Sequence, residues 1–342
     1  MSYPTDVGPS TGNEVPPFLI QDLVSAIEHD LGTGVSITCA QALGTEVYVG
    51  CSNGQLMRYA LQANNPDEPM RYDLVSRQNA TADRPIDEIV LVPSIFRALI
   101  FADHQLSIYT LPSFEMTNIK PIRNAIAFAV DQEHLKRPAP SNESQLVPVA
   151  LSIIKRSGIA LFTLSDRLYY QNEVPFQGGT HARRIGHSLC VADKEFIQLV
   201  NLEESVAFPI IPLNQVGDGK AVKPFIVVIS DEEYLVLSWM GASTLGVFMN
   251  TSGDPVRGTL QFESYPESIC MDYPYIITML PNNTIVIHNV ETQNLVQTLP
   301  VPETIRGRAL VSCLDGYLVP SNMGTDKMRK TPVRLLREQP SI

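Results

Sequence analysis

Apolar and polar residues alternate with a period of about two along nearly the whole chain, which is the pattern of half-buried β-strands. A representative unit is Glu46–Gly50, followed by the turn Cys51–Gly54 and a second strand, Gln55–Tyr59. Asn-Gly is a strong hairpin signal, because both central positions of a type I′ turn take positive φ. We therefore predict that Asn53 and Gly54 form such a turn.

Six further strand–turn–strand units follow the first. They pair Arg97–Phe101 with Leu106–Leu111, Val149–Ile154 with Ile159–Leu164, His187–Val191 with Phe196–Asn201, Phe225–Ser230 with Tyr234–Trp239 and Thr244–Met249, Tyr275–Leu280 with Thr284–Val290, and Ala309–Cys313 with Tyr317–Pro320. The turns recur roughly every 35–50 residues, the spacing of propeller blades. With no clear long helix, the pattern predicts an all-β fold, a β-propeller of about seven irregular blades. A β-sandwich is the alternative, but sandwiches do not normally repeat hairpins so often at this period.

The segment Phe18–Leu31 is predicted to close the propeller. Alternation of Leu23, Ser25 and Ile27 fits a strand, although the apolar residues of the segment would also suit one face of a helix. We favour a strand, because pairing an N-terminal strand with the last blade hides two exposed sheet edges.

Four stretches rich in Pro, Asn, Asp or Gly predict excursions from the blades: Met1–Pro17, Gln62–Arg84, Asp131–Pro148 and Pro212–Lys223. We therefore divide the chain into a disordered tail (1–17), a propeller (18–322) and the start of a linker or helix (323–342). In the last segment basic residues surround Val333, Leu335 and Leu336, a pattern typical of a new helical element. We expect the chain to be cut from a longer protein.

Composition narrows the function. The chain has 342 residues, with 25 Lys+Arg against 36 Asp+Glu, which gives a formal net charge of −11. This acidic balance argues against a general binder of nucleic acid or of anionic membranes, since both polyanions need a positive field. No apolar run approaches the roughly 20 residues of a membrane-spanning helix, and the N-terminus lacks the apolar core of a signal peptide. Five scattered cysteines without a CxxC pair fit a reduced, cytosolic compartment.

Two groups of residues between positions 181 and 193 are candidates for a catalytic or metal-binding role. Gly186–Cys190 resembles a nucleophile elbow, which would make Ser188 a nucleophile, but an elbow leads into a helix. The residues that follow indicate another strand, so an ordinary hairpin is favoured. The second group is a metal set, His181, His187, Cys190 and Asp193. Its spacing matches no standard zinc pattern, and strand alternation separates His187 from Cys190.

No phosphate-binding glycine motif is present, and nothing in the sequence requires catalysis. The acidic groups Asp231–Glu233 and Glu203–Glu204 are interpreted as solvated turns, with a cation site as the alternative. The basic residues of the last segment fit either a solvated helix face or a contact to an acidic neighbour. We predict no catalytic residue, no metal, no cofactor and no enzymatic activity, and the sequence assigns no partner-binding residues.

The residues carry a family resemblance at both ends of the chain. Phe18–Leu31 (F-L-I-Q-D-L-V-S-A-I-E-H-D-L) and Glu46–Tyr59 (E-V-Y-V-G-C-S-N-G-Q-L-M-R-Y) resemble the opening of a citron-homology (CNH) domain. More narrowly, the chain resembles the N-terminal domain of the family that contains TGF-beta receptor-associated protein and the CORVET-specific vacuolar protein sorting subunit. Tyr265–Pro300, Arg306–Pro320 and Met328–Leu336 support the resemblance, and the middle of the chain matches loosely.

The resemblance implies an N-terminal propeller followed by an α-solenoid in the full-length protein. It implies a subunit of a class C tethering complex that engages an early-endosomal Rab GTPase in its GTP form and supports endosome fusion and vacuolar or lysosomal trafficking. Such a subunit is cytoplasmic and peripheral on endosome or vacuole membranes, which it reaches through its partners. No Rab-contacting residue carries over, because the family has no local motif for one.

Three other functions stay open. The chain could be the equivalent subunit of the late-endosomal HOPS tether, which differs mainly in the Rab it recognises. It could be a regulatory CNH domain of a kinase or a guanine-nucleotide exchange factor, although the short polar N-terminus disfavours this. A propeller hydrolase or lectin would instead show convergent His and carboxylate groups at one mouth of the channel.

Overall fold

The architecture is an all-β propeller, which confirms the predicted fold class. The computed structural model describes residues 18, 20–24, 27–62, 71–140, 146–217, 219, 221–301, 311–313, 316–321 and 324–328. Within these residues, 28 strands form seven four-stranded antiparallel sheets. Only two α-helices, of five residues each, occur in this part of the chain: α1 (Ile27–Leu31) and α2 (Gln132–Lys136).

Six of the sheets are blades made from one continuous stretch of chain, in which each strand pairs with the next. Blade 1 contains β2 (Ile37–Leu43), β3 (Glu46–Cys51), β4 (Gln55–Gln62) and β5 (Arg71–Asn79). Blade 2 contains β6 (Glu88–Val92), β7 (Arg97–Ala102), β8 (Gln105–Thr110) and β9 (Ile122–Arg123), with a 3-10 turn at Pro93–Ile95. Blade 3 contains β10 (Ala127–Val130), β11 (Val149–Ile154), β12 (Gly158–Leu164) and β13 (Leu168–Pro175). Blade 4 contains β14 (His181–Ile185), β15 (Ser188–Ala192), β16 (Phe196–Asn201) and β17 (Val206–Pro212). Blade 5 contains β18 (Ile226–Ser230), β19 (Glu233–Trp239), β20 (Thr244–Asn250) and β21 (Leu260–Phe262). Blade 6 contains β22 (Ser268–Asp272), β23 (Tyr275–Leu280), β24 (Thr284–Asn289) and β25 (Leu295–Pro300).

The remaining sheet combines both ends of the chain. Its strand order is β1 (Ile20–Val24), β28 (Gly324–Met328), β27 (Gly316–Ser321) and β26 (Val311–Cys313). The prediction of about seven blades is therefore corrected, because six blades are each made from one continuous stretch of chain. The seventh unit, near residue 315, contributes β26 and β27 to this composite sheet. Strand β28 also corrects the predicted boundary at residue 322, because Gly324–Met328 lie in a sheet and not in a linker or helix.

The N-terminal segment is part strand and part helix. Ile20–Val24 pair antiparallel with β28, as a strand prediction requires, but Ile27–Leu31 form α1, where we favoured a strand. Ile27 and Leu31 are buried against β3 and β4 of blade 1. Phe18 packs on blade 6, where its ring meets Tyr275 edge to face with centroids 5.5 Å apart.

Turn geometry differs from the prediction at the first hairpin. Gly54 takes a positive φ of 80° and its N–H donates to the carbonyl of Cys51 at 3.1 Å, but Asn53 does not take a positive φ. The connection is thus a three-residue loop that ends in a left-handed glycine, and the predicted two-residue type I′ turn is wrong here. Asp103 and His104, with φ of 46° and 59°, are the residues that adopt two consecutive left-handed positions.

The core lies between the blades. In β15, Leu189 and Val191 pack toward blade 3, whereas Cys190 and Ala192 pack toward blade 5. Because successive side chains of a strand point to opposite faces, a strand between two neighbouring sheets is apolar at every position. This accounts for the continuous apolar run after Ser188 and for the burial of Cys190 as a free thiol.

The predicted excursions are only partly described. Met1–Pro17 and residues 329–342 lie outside the described residues, as do 63–70 and 141–145. Gln62–Arg84 contains β5, and Asp131–Pro148 contains α2, where the side chain of Asp131 caps the helix by accepting from the N–H of Glu133 at 3.3 Å. Both excursions therefore hold regular structure that their composition did not predict.

Candidate functional site

An open groove between blades 4 and 5 is the candidate site. In a four-stranded meander the first and third connections lie at the same end, and we call the propeller face where they emerge face A. The groove opens on face A, has a volume of about 490 Å³ and is bordered by both blades. Its lining includes Leu199, Val206, Phe208, His187, Glu204 and Asp231.

The apolar side of the groove comes from the outer strand of blade 4. In β17, Phe208 pairs with Leu199 and Val206 pairs with Asn201 in the neighbouring strand. Alternate residues share a face, so Val206 and Phe208 both point toward blade 5. Their exposed fractions are 52 % and 37 %, while Leu199 beneath them is buried. An outer strand with exposed apolar groups is a surface that can contact another chain.

The opposite side of the groove is the loop between β20 and β21. The side-chain oxygen of Asn250 accepts from the N–H groups of Ser252 and Asp254, both at 2.9 Å. Gly253 lies in this loop, where it contacts blade 4 and has a φ of 92°. A Cβ at this position would lie 2.6 Å from Cδ1 of Ile210. Only glycine tolerates that combination of backbone angle and close approach.

Hydrogen bonds fix the two blades at the floor of the groove. The Ser188 hydroxyl donates to the carbonyl of Thr251 at 3.2 Å, and the Tyr234 hydroxyl donates to the carbonyl of Ser188 at 2.9 Å. Burial raises the pKa of Tyr234, so this hydroxyl stays protonated and keeps its donor role. The walls of the groove are therefore held in place before any partner arrives.

Charged side chains surround the groove. His187 Nδ1 lies 3.2 Å from Glu203 Oε1, and both side chains are largely exposed. Asp231 pairs at 2.7 Å with Lys136 of α2, which reaches it from blade 3. Glu204 lines the groove and has no ion-pair partner among the residues that the structure describes. Carboxylates thus dominate the rim.

A central cavity of about 450 Å³ adjoins the axis of the propeller. It is lined by the inner strands β2, β6, β10, β14 and β22 and by α2. Arg183 and Glu88 approach each other within 3.5 Å across it. Opposite charges in the lining are thereby paired with each other, and the cavity offers no concentration of one sign of charge.

The residues considered as a nucleophile site or a metal site do not lie together in the structure. Gly186 and His187 form the turn between β14 and β15, which is the hairpin interpretation of this motif. Cys190 is buried, and burial raises its pKa, which disfavours the thiolate that a metal or a nucleophile would need. Asp193 lies at the other end of the blade, where its carboxylate accepts from the N–H groups of Glu195 and Phe196 at 2.7 Å. In the described part of the chain, no three His, Cys, Asp or Glu side chains are grouped so that they could hold a metal ion.

The remaining histidine of that set is partly buried. Burial lowers the pKa of His181 well below its usual value, and the nearby charges of Arg183 and Lys223 lower it further. His181 pairs with Ala192 in the sheet, at the end of the blade far from His187. The two histidines cannot act on one substrate or one metal ion.

The acidic turn Asp231–Glu233 is not a simple solvated turn. Glu233 is buried and accepts from Arg257 through both carboxylate oxygens, at 2.6 and 3.1 Å. Arg257 also binds Glu291 of blade 6 at 2.8 Å, and Glu291 in turn accepts from the Tyr273 hydroxyl. Two carboxylates raise the pKa of Arg257, first through Glu233 and then through Glu291. This ion cluster joins blades 5 and 6.

Sequence reasoning missed the groove because it predicted hairpins and no outer strands. The hairpin pattern predicts no strand at Val206–Pro212 (V-A-F-P-I-I-P), and the predicted excursion begins at its last residue. The available signal was a strongly apolar run that contains two prolines, which is typical of an edge strand. Which blades that strand would face depends on contacts far apart in sequence.

The fold and the groove together define a β-propeller domain that presents a preformed surface cleft. The chain belongs to the VPS3 N-terminal domain family, which matches residues 32–301. The resemblance to a CNH-type domain of this family, stated above from both ends of the chain, is confirmed.

Two curated relatives match most of this chain. It is 24 % identical over 298 residues to vacuolar protein sorting-associated protein 3 of Saccharomyces cerevisiae, with 83 % of this chain covered and 27 % of the relative. It is 21 % identical over 281 residues to the protein of the same name in Schizosaccharomyces pombe, with 80 % and 29 % covered. The chain thus spans less than a third of the length of these relatives.

Solved structures share the fold. The AfRom2 CNH domain superposes with a TM-score of 0.58 at 17 % identity, over 91 % of this chain and 97 % of that chain. The WD40 domain of Neurospora crassa Pan2 superposes with a TM-score of 0.63 at 9 % identity, over 97 % and 100 %. Among the described residues, no helix has the length and apolar character needed to cross a membrane.

Proposed function

We propose that this chain is the non-catalytic interaction domain of an endosomal tethering-complex subunit of the CORVET type, which engages an early-endosomal Rab GTPase in its GTP form. The observation that carries the proposal is membership of the VPS3 N-terminal domain family over residues 32–301. Both curated relatives are named for vacuolar protein sorting. A tethering role needs a rigid body with surfaces for several partners, and needs no active site.

The same proposal includes the other subunits of a class C complex as partners and a peripheral position on endosome or vacuole membranes. The net charge of −11 supports attachment through proteins and not through anionic lipid, since an acidic domain is repelled by an anionic surface. The domain would therefore reach membranes by binding proteins that are anchored there.

The direct test is a pull-down with purified early-endosomal and late-endosomal Rab proteins, each loaded with a GTP analogue or with GDP. Retention of an early-endosomal Rab in the GTP state alone supports the proposal. Retention of only late-endosomal Rabs would favour the equivalent subunit of the HOPS tether. Failure to retain any Rab in either state would remove Rab binding from the proposal.

Absence of catalysis is tested separately. The domain should show no turnover of ester, phosphoester or glycoside substrates with or without added divalent metals. Turnover that disappears in Ser188→Ala or His187→Ala would instead support a hydrolase. The hydrogen bond from Ser188 to the Thr251 carbonyl argues against this outcome, because that hydroxyl proton is already engaged.

We also propose that the N-terminal strand closes the ring through the composite sheet. Support comes from contacts on both sides: Phe18 packs on blade 6, Ile27 packs on blade 1, and β1 pairs with β28 between them. Strand β26 contacts β22 on one side and β2 on the other. Removal of residues 1–26 should then lower the thermal midpoint of unfolding, whereas removal of residues 1–15 should not. Equal midpoints for the two truncations would contradict closure by this strand.

A further inference from the structure

We infer that the groove between blades 4 and 5 is a docking site for a basic segment of a partner protein, which inserts a bulky apolar side chain against Val206 and Phe208. The inference does not depend on Rab binding. It rests on the combination of an apolar cleft, preformed walls and an acidic rim at one place on face A.

The apolar component is more than scattered surface exposure. Val206 and Phe208 are neighbours on one side of β17, they border a cavity of about 490 Å³, and the buried Leu199 forms its base. This volume falls within the roughly 300–1,000 Å³ typical of binding clefts. An inserted leucine or phenylalanine would cover surface that water now wets, which is the main source of affinity at the centre of an interface.

The walls are organised without a partner. Asn250 holds the loop of blade 5 through two backbone N–H groups, and Ser188 connects blade 4 to Thr251 of that loop. Gly253 contacts Phe208 and Ile210 from the blade 5 side. A cleft held in this way loses little conformational entropy on binding.

The charge of the rim selects the partner. Glu204 and Asp231 line the cleft, and the exposed Glu203 and Glu232 lie beside them on the same two turns. Lys136 of α2 pairs with Asp231, and His187 lies beside Glu203. These carboxylates outnumber the single lysine, so the rim carries an excess of negative charge. Complementarity therefore favours lysine or arginine on both sides of the inserted apolar residue, and disfavours an acidic segment.

The chain offers a matched control surface. Tyr169 and Tyr170 lie on β13, the outer strand of blade 3, with exposed fractions of 49 % and 58 %. They are large side chains, at least about as exposed as Val206 and Phe208 and also on an outer strand, but they do not border the groove. Substitutions at the two surfaces therefore distinguish nonspecific binding to exposed side chains from binding in this cleft.

The test uses the 342-residue chain and three fluorescently labelled peptides of about 12 residues. The first carries leucine and phenylalanine among lysines, the second carries the same apolar residues among glutamates, and the third carries serine in place of the apolar residues among lysines. Fluorescence anisotropy should show binding of the first peptide well above the other two. Val206→Ser/Phe208→Ser should weaken that binding at least about fivefold, as expected for truncated anchor residues.

Two further variants complete the experiment. Tyr169→Ser/Tyr170→Ser should bind the first peptide as the original chain does. Glu203→Gln/Glu204→Gln should bind it more weakly and with a smaller dependence on salt, since the rim then attracts lysine less. Circular dichroism and thermal melting of each variant establish that it is folded before its affinity is interpreted.

Three results would overturn the inference. One is equal binding of the lysine–serine peptide, which would reduce the effect to charge alone. Another is equal loss of binding in the tyrosine variant, and the third is no binding of the first peptide at millimolar protein. Rab retention in the pull-down above is scored independently, so either proposal can fail without the other.

Discussion

Two neighbouring junctions of this propeller are built alike in their cores and differ at their rims. Between blades 5 and 6, Arg257 lies between Glu233 and Glu291 and joins the two blades by ion pairs on face A, beside a pocket of about 620 Å³ that Arg257 also lines. Between blades 4 and 5, the corresponding edge is left open, and exposed Val206 and Phe208 border a cleft. Both junctions have buried apolar clusters beneath these rims.

The difference shows that blade packing does not decide whether the rim carries an ion cluster or exposed apolar side chains. Apolar burial between the sheets supplies the stability of both junctions. The rim of a junction can therefore carry either an ion cluster, which holds the two blades together, or a cleft, which can bind a partner. In this protein the acidic residues of one turn take part in both, because Asp231 faces the cleft and Glu233 faces the ion cluster.

The largest effect is expected from breaking the ion cluster between blades 5 and 6. Arg257→Ala leaves the buried Glu233 carboxylate without its bidentate partner, and should lower the free energy of unfolding by about 3 kcal/mol. Urea denaturation measures the change. Arg84→Ala is the control, because the Arg84–Asp103 pair is exposed and 3.5 Å long, and its loss should cost less than about 0.5 kcal/mol. Equal effects of the two substitutions would show that the ion cluster does not stabilise the junction.

The next effect concerns the wall of the open junction. Gly253→Ala combines a φ of 92° with a Cβ placed 2.6 Å from Ile210 Cδ1, and should destabilise the fold by about 1–2 kcal/mol while shifting the loop. Gly32→Ala is matched to it in backbone angle, with a φ of 80°, but nothing lies within 4 Å of its added Cβ. The difference between the two midpoints in urea isolates the contact across the cleft. No difference would mean that Gly253 is needed only for its backbone angle.

Acid should weaken the junction between blades 5 and 6 through His288. His288 of blade 6 is buried against Phe262 of blade 5, with ring centroids 5.3 Å apart, and burial lowers its pKa. The folded state therefore resists protonation, so the stability from neutral His288 is complete above the unfolded pKa of about 6.5 and is lost as the pH falls toward the folded pKa. One such histidine changes the free energy of unfolding by at most about 1.4 kcal/mol per pH unit.

Urea denaturation at pH 7.5, 6.5 and 5.5 tests this, with His288→Gln expected to flatten the decline. His187→Gln is the control, since that side chain is largely exposed at the open junction. A decline that persists unchanged in His288→Gln would assign the acid sensitivity to His181 or His134, whose pKa values are also lowered by burial.

The smallest effect is expected at the cleft itself. Glu204→Gln removes one exposed charge and should change the free energy of unfolding by less than about 0.5 kcal/mol. A thermal melt measures it beside the original chain. A large loss of stability would show that Glu204 contributes to the fold. It would also weaken the distinction between the ion cluster, which stabilises its junction, and the cleft, which is proposed to bind a partner.

The hairpins were predictable because their signals are local. Alternation in Glu46–Gly50 and Gln55–Tyr59 and the turn between them lie within a few residues of one another, and the observed β3 and β4 cover the same positions. Outer strands were missed, because β17 is exposed along its first four residues and carries two prolines, so its pattern does not alternate. The N-terminal segment was ambiguous for a related reason: its apolar residues fit both periods, and contacts with blades 1 and 6 determine where strand ends and helix begins.

The sequence by itself determined the β class, the hairpin spacing, the acidic balance and the family, since each follows from residue types or from short-range order. Only the tertiary structure decided that Glu233 is buried beside Arg257, that Ser188 donates to Thr251, and that Val206 and Phe208 border a cleft. Glu233 and Arg257 are 24 residues apart in sequence, and Ser188 and Thr251 are 63 residues apart. Phe208 and Gly253, which meet at the cleft, are 45 residues apart. Strand alternation gives the side of a blade on which each side chain lies, but the distance between two blades is set by how their apolar faces pack.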